Sequence, residues 1–131
     1  MSRFLTSLQT EDIDDGNARL LSPLKYESDI LDSLIIVPAG FVTDFASVPR
    51  VPIAYMLFGD RAHHESVVHD WCYQRHICTK SQADKIFLEA MVVRKKPRYI
   101  RWPMYWAVAL AGWSSYKSGP ERYKKINGGK Q

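Results

Sequence analysis

The sequence predicts an α+β fold in which a small N-terminal antiparallel β-sheet is followed by three helices, the first two forming an antiparallel hairpin. Three observations lead to this fold class. Residues 19–43 alternate short apolar segments with turn residues, as strands do. Residues 60–117 contain caps and prolines that divide them into helical segments. The 131 residues, 46% hydrophobic and 24% charged, suffice for one core of ordinary composition.

The predicted domain spans residues 19–117, between two segments that we expect to be flexible. Residues 1–18 are polar and acidic and are predicted to form a loose arm, and residues 118–131 are predicted to form a basic tail. Within the domain, Ser33–Val37 is the clearest strand because it is rich in β-branched and apolar residues. Residues 38–40 predict a tight turn before a short strand at residues 41–43.

Three helices are predicted after an irregular connector at residues 44–52, whose two prolines exclude a regular helix. The helices run from about residue 60 to 76, from 81 to 94 and from 99 to 117. Ser81 and Asp84 match the two ends of a capping box at the start of the second helix. Because only about four residues, 77–80, join the first two predicted helices, we expect these helices to be antiparallel.

The charge of the chain is divided unevenly. The net charge is +4, but residues 91–131 hold ten basic residues and one acidic residue, a local excess of +9. This excess indicates contact with phosphate, an anionic membrane face or an acidic protein, and a solvated tail is the alternative. No nucleic-acid-binding module, transmembrane segment or secretory signal is recognisable in the sequence.

An aromatic stripe follows the third predicted helix at steps of four and three residues. It consists of Trp102, Trp106, Trp113 and Tyr116. We predict that the stripe packs in the core, because a chain of this size needs the apolar surface. The basic residues between positions 95 and 101 leave a helix at a membrane interface as the alternative.

The candidate site lies on the first predicted helix, where Ser66, His69, Asp70 and Tyr73 are three or four residues apart and are expected to share one face. The hairpin returns Asp84 opposite Tyr73 and within reach of His69. A carboxylate there fixes the tautomer of the imidazole and leaves its other nitrogen free to activate water. The alternative is a structural network, in which His69 is a buried histidine hydrogen-bonded to Tyr73 and Asp84.

Access to the imidazole separates these two interpretations. A catalytic His69 is expected to open onto a cleft beside Asp44 and Arg50 of the connector. A ring that is sealed by Trp71 and Trp106 favours the structural network instead.

A metal site has weaker support from the sequence. Glu65 and His69 offer two ligands at i,i+4 spacing, but no third ligand follows, whereas zinc sites use three or four. A hard cation such as calcium, held by Asp70, Asp44 and backbone carbonyls, is the better alternative. Calcium is therefore the one cofactor that the sequence suggests.

The middle of the chain resembles a phage and prophage family of unknown function over about residues 25–113. The segments that carry the resemblance are residues 38–50 (PAGFVTDFASVPR), 67–70 (VVHD), 83–91 (ADKIFLEAM) and 104–108 (MYWAV), with Gly112. The resemblance implies a phage origin and a location in the virion or in the host cytoplasm. It also implies partners among other phage structural proteins or in the host envelope.

Residues 69–73 (HDWCY) are similar to the active-site helix of the secreted phospholipase A2 fold. This second resemblance implies that His69 is the base that activates water and that Asp70 binds calcium. It further implies that Asp84 orients the imidazole and that Tyr73 hydrogen-bonds to Asp84. No Gly-rich calcium loop precedes the helix, and Cys72 lacks the disulfide partner found in that fold.

The connector would have to supply the contacts that this missing loop provides. Asp44 is then the second calcium ligand, and Ser47 and Arg50 are the residues for the substrate or its oxyanion. One functional hypothesis is therefore a small phage hydrolase with a His69–Asp84 dyad, which cleaves an ester or amide of the host envelope, phospholipid being the specific case. The other is a non-catalytic virion protein (tail, baseplate or capsid-associated) or assembly protein, in which the same cluster is structural and the basic C-terminal segment docks on an acidic neighbour.

Overall fold

Two small antiparallel sheets form the N-terminal part of the structure, a computed structural model that describes residues 2–13, 17–43 and 63–127. One sheet has the strand order β1-β4-β5 and the other the order β2-β3-β6. The strands are β1 (Arg3–Phe4), β2 (Thr10–Asp12), β3 (Ala18–Leu20), β4 (Leu24–Ser28), β5 (Ser33–Val37) and β6 (Val42–Thr43). The predicted antiparallel pairing of the N-terminal strands is thus confirmed, but the strands form two sheets and not one.

The hairpin of β4 and β5 supplies the inner face of the first sheet. Tyr26 lies opposite Ile35, and Leu24 lies opposite Val37. All four side chains are buried, whereas the intervening residues are half-buried or exposed. This alternation is the period of a strand with one face on the core.

The described helices follow the sheets. They are α1 (His63–Arg75), α2 (Lys80–Val93), α3 (Arg98–Ala111), α4 (Trp113–Lys117) and α5 (Gly119–Asn127). The first two form an antiparallel hairpin, because Glu65 near the start of α1 approaches Arg94 just after α2, while His69 approaches Asp84. The α+β fold class and the predicted hairpin therefore agree with the structure. Among the described residues, no helix combines the length and the apolar character needed to cross a bilayer.

The capping box of α2 lies two residues before the predicted one. Thr79 is the N-cap, its hydroxyl accepts from the backbone N–H of Gln82, and the Gln82 side chain accepts from the backbone N–H of Thr79. The prediction of Ser81 and Asp84 as the box was therefore wrong. Because Thr79 and Gln82 satisfy the helix end, Asp84 is free to face α1.

Both segments that were expected to be flexible carry secondary structure. In residues 1–18, β1 pairs with β4, and the ring of Phe4 lies 4.6 Å from that of Tyr26. In residues 118–131, α5 is held by Asn127, whose side-chain amide accepts from the Val42 N–H (2.8 Å) and donates to the Val42 carbonyl (3.1 Å). These contacts join residues 22 and 85 positions apart, which local composition does not reveal.

The aromatic stripe is not core, and the prediction that placed it there was wrong. The helix predicted over residues 99–117 breaks at Gly112 into α3 and α4. Trp102, Trp106 and Trp113 are exposed, and of the stripe only Tyr116 packs against the core. The opposite face of α3, with Ile100 and Val108, is the buried one. The helix is apolar on two sides, so periodicity alone did not choose between them.

Candidate functional site

A buried pair of side chains joins α1 to α2. His69 Nε2 lies 2.8 Å from Asp84 Oδ1, and the two residues are 0% and 2% exposed. The pairing is local in origin, since the antiparallel hairpin brings the middle of α1 against the first turns of α2. The predicted contact between His69 and Asp84 is thus present in the structure.

Three donors converge on the Asp84 carboxylate. The Tyr73 hydroxyl donates to Oδ1 at 2.6 Å, beside His69 Nε2, and Lys80 Nζ donates to Oδ2 at 2.7 Å. The same ammonium group also donates to the carbonyls of Val108 (3.0 Å) and Ala109 (3.1 Å) near the end of α3. Lys80 therefore extends the network to a third helix. The sequence reasoning missed Lys80, although its i,i+4 spacing from Asp84 was a usable signal.

The protonation states follow from these contacts. Burial alone would raise the pKa of Asp84, but the hydrogen bonds from His69, Lys80 and Tyr73 hold the pKa of this carboxyl below its ordinary value. Burial lowers the pKa of the His69 imidazole, and the opposing effect of Asp84 does not offset it. At neutral pH the pair is a carboxylate that accepts a hydrogen bond from the Nε2–H of a neutral imidazole.

The imidazole is buried next to two aromatic rings. Its centroid lies 4.1 Å from the ring of Tyr73 and 4.8 Å from the ring of Phe87. Trp106 is exposed, so a seal formed by Trp71 and Trp106 together is not what buries His69. Its Nδ1 is buried and has no hydrogen-bond partner among the described residues.

Asp70 faces away from the His69 pair. Its carboxylate accepts from the Thr43 hydroxyl (2.5 Å), from the Gln74 amide (3.0 Å) and from Arg122 Nη2 (3.2 Å) of α5. Consecutive helix residues point about 100° apart, so His69 and Asp70 contact different neighbours of α1. The expectation that Asp70 shares one face with His69 and Tyr73 was therefore wrong.

The connector residues of the predicted site lie outside the described part of the chain. These are Asp44, Ser47 and Arg50. Within the described residues, no group of three or more histidine, cysteine, aspartate or glutamate side chains is arranged to hold a metal ion. A calcium site that includes Asp44 stays a prediction, in which Asp70 would have to serve while paired with Arg122.

A cavity of about 400 Å³ lies on the other side of Asp84 from the imidazole. It is lined by the start of α2 and by aromatic side chains of α3 and α4, and His69 is not part of its wall. Lys80 Nζ sits 4.9 Å from the centre of the Trp113 ring at this cavity. Access from this side therefore leads to the Lys80–Asp84 ion pair and not to the histidine.

Glu65, one turn before His69 on α1, is a third buried acid besides Asp84 and Asp70. It is 1% exposed, and neither carboxylate oxygen has a hydrogen-bond partner among the described residues. The nearest cations are Lys96 Nζ at 3.8 Å and Arg94 Nε at 4.0 Å. Burial raises the pKa of Glu65, and the two cations offset this only in part.

Glu65→Gln is expected to increase stability at pH 8 by about 1 kcal/mol, because it removes a buried charge without hydrogen bonds. A raised pKa in the folded state means that this group stabilises the fold below its ordinary pKa of 4.5 and loses that contribution as pH rises through the folded pKa. The gain should therefore vanish at pH 4. Urea denaturation at both pH values measures it, with Glu121→Gln at an exposed position as the matched control. Equal stability of Glu65→Gln and wild type at pH 8 would contradict the expectation.

The chain belongs to the family described as "Protein of unknown function (DUF1353)", whose model matches residues 18–108. The match includes β3 to β6, the hairpin of α1 and α2, and most of α3. Comparison with curated proteins and with solved structures finds no significant match. The description of this family supplies no activity.

Proposed function

We propose that this protein is a non-catalytic docking protein, in which the His69–Asp84 network locks three helices together. The observation that carries the proposal is that His69 is 0% exposed while all the donors around Asp84 are already paired with it. A general base must come within hydrogen-bond reach of the proton it removes. An enclosed imidazole whose neighbours are aromatic rings does not meet that condition.

The docking role rests on the charge of the C-terminal third. Residues 91–131 carry an excess of nine positive charges, and the lysines of α5, Lys124 and Lys125, are exposed. Such a segment attracts an anionic partner at long range. In the setting implied by the phage resemblance, the protein would be a virion component (tail, baseplate or capsid-associated) or an assembly protein, in the virion or the host cytoplasm.

A hydrolase is the second candidate, and one observation favours it. His69 Nε2 bonds to Asp84, Tyr73 bonds to the same carboxylate, and Nδ1 has no partner among the described residues. This is the arrangement that the phospholipase A2 resemblance implies for the base, its orienting aspartate and the nitrogen that activates water. In this candidate, Asp44, Ser47 and Arg50 complete the site, and millimolar calcium raises the melting temperature.

His69→Gln tests the choice between the two. If the network is structural, the variant is expected to lose about 2 kcal/mol of stability and roughly 5–10 °C in melting temperature, because a flexible amide replaces a ring that packs beside Tyr73 and Phe87 and donates to Asp84. Neither wild type nor variant should then hydrolyse ester or phospholipid substrates, with or without calcium. His76→Gln is the matched control, because His76 is exposed and its side chain makes one hydrogen bond among the described residues, to a backbone carbonyl.

The pH dependence gives a second readout of the same variant. The lowered pKa of His69 means that its contribution to stability is complete above the ordinary value of 6.5 and is lost as pH falls from there toward the folded pKa. His69→Gln should flatten the stability curve below pH 6.5. Wild-type turnover that His69→Gln abolishes, at an unchanged melting temperature, would establish the hydrolase instead.

A further inference from the structure

An exposed apolar surface runs along α3 into α4. We call it the aromatic face, and it consists of Trp102, Trp106, Leu110 and Trp113, which are 42%, 52%, 76% and 54% exposed. Trp102, Trp106 and Leu110 are four residues apart and lie on one side of α3, and Trp113 follows at the start of α4. Scattered apolar residues on a surface are ordinary, but an aligned set with three tryptophans marks a contact surface.

The opposite side of α3 already has its packing partner. Met104 and Val108 pack against Phe87 and Met91 of α2. The aromatic face is therefore additional to the surface that anchors the helix. A helix of a water-soluble domain is normally polar on its outer side, so the aromatic face is suited to an apolar partner.

Exposed basic residues lie at the start of α3. Lys95 and Arg98 are both exposed, and Arg94 is 43% exposed at its side chain. No acidic residue occurs in the sequence between Glu89 and Glu121. Arg94 lies 4.0 Å from Glu65, so the positive charge available beside the aromatic face is chiefly that of Lys95 and Arg98.

We propose that the aromatic face and the basic residues at its start dock on an anionic lipid surface. This inference rests on the proposed docking function and names its partner. Tryptophan is enriched at the boundary between headgroups and acyl chains, where its ring is buried and its N–H stays hydrated. Lysine and arginine beside such a face gain from the negative potential of anionic lipids.

A second copy of the chain fits this surface less well. Each copy carries the same excess of nine positive charges in residues 91–131, so pairing through this region brings like charges together. An anionic bilayer neutralises those charges instead. Charge complementarity therefore selects the lipid surface.

Co-sedimentation of the full chain with vesicles tests the proposal. We expect binding to vesicles of phosphatidylcholine mixed with phosphatidylglycerol, at least about tenfold weaker binding to pure phosphatidylcholine, and a blue shift of tryptophan emission on binding. The double variant Trp106→Ser with Leu110→Ser should weaken binding by about tenfold or more. The matched control is Leu34→Ser with Ile36→Ser, which removes exposed apolar side chains from β5 and should bind as wild type does.

A charge variant tests the basic residues separately. Arg98→Gln should weaken binding to the anionic vesicles by about fivefold, whereas Lys85→Gln, an equal change in charge on exposed α2 surface, should have a much smaller effect. Equal effects of the two variants would overturn the assignment of the basic residues to the docking surface.

The remaining outcomes distinguish a failure of the lipid proposal from a failure of the proposed function. Absence of vesicle binding overturns the lipid surface, as does a wild-type dimer that the Trp106 and Leu110 variant dissociates. Fatty-acid release from bound vesicles that His69→Gln abolishes would leave the docking surface intact and overturn the non-catalytic function.

Discussion

Asp84→Ala is expected to lower the free energy of unfolding by about 3–5 kcal/mol, the largest effect of any single change considered. The carboxylate is the common acceptor of three donors. Its removal leaves the Lys80 ammonium, 4% exposed, as a buried charge without its counter-ion. It also leaves the Tyr73 hydroxyl and His69 Nε2 without their acceptor. Urea denaturation followed by circular dichroism measures the change.

A set of companion variants keeps this expectation testable if Asp84→Ala does not fold. Asp84→Asn should lose less, because the amide oxygen still accepts one hydrogen bond. Adding Lys80→Met to Asp84→Asn should recover part of the loss, since it removes the unpaired charge. Lys85→Gln, exposed on the same helix, is the control and should change stability by less than about 0.5 kcal/mol. If Asp84→Ala lowers the free energy of unfolding no more than Lys85→Gln does, the structural role of the network is contradicted.

The part of the site that depends on helix spacing was predictable from the sequence. His69 and Tyr73 are one turn apart, and a short loop returns Asp84 to them, so the three side chains meet as expected. Helix spacing did not decide which neighbouring element each side chain of α1 contacts. Asp70 turns toward Arg122, which lies in a helix that the sequence did not predict.

Long-range packing decided the features that the sequence left open. The enclosure of His69 depends on Phe87 of the partner helix, and the exposure of the tryptophans depends on which side of α3 packs against α2. Both sides of α3 are apolar, so the argument that a chain of this size needs apolar surface in its core did not decide which side is buried. The structure buries the side with Met104 and Val108, whose shapes fit against α2.

Glu89 makes polar contacts that helix spacing and motifs did not single out. Its carboxylate accepts from the Tyr26 hydroxyl (2.7 Å), the Ser28 hydroxyl (2.9 Å) and the backbone N–H groups of Asp29 and Ile30 (3.1 Å each). The contacts join α2 to the turn of the hairpin between β4 and β5, about 60 residues away in sequence. Tyr26 and Ser28 are 0% and 2% exposed, so water does not replace Glu89 as their acceptor.

Glu89→Ala is therefore expected to lower the free energy of unfolding by about 3 kcal/mol, because it leaves two buried hydroxyl groups and two turn amides without a carboxylate acceptor. Glu89→Gln should lose roughly half as much, because one oxygen remains to accept from one pair of donors. Glu27→Gln is the matched control, since Glu27 pairs only with Arg3 at the surface, where such pairs contribute about 0–1 kcal/mol. The three variants are compared by urea denaturation. An effect of Glu89→Ala no larger than that of Glu27→Gln would show that the sheet and the helical hairpin are held together by apolar packing alone.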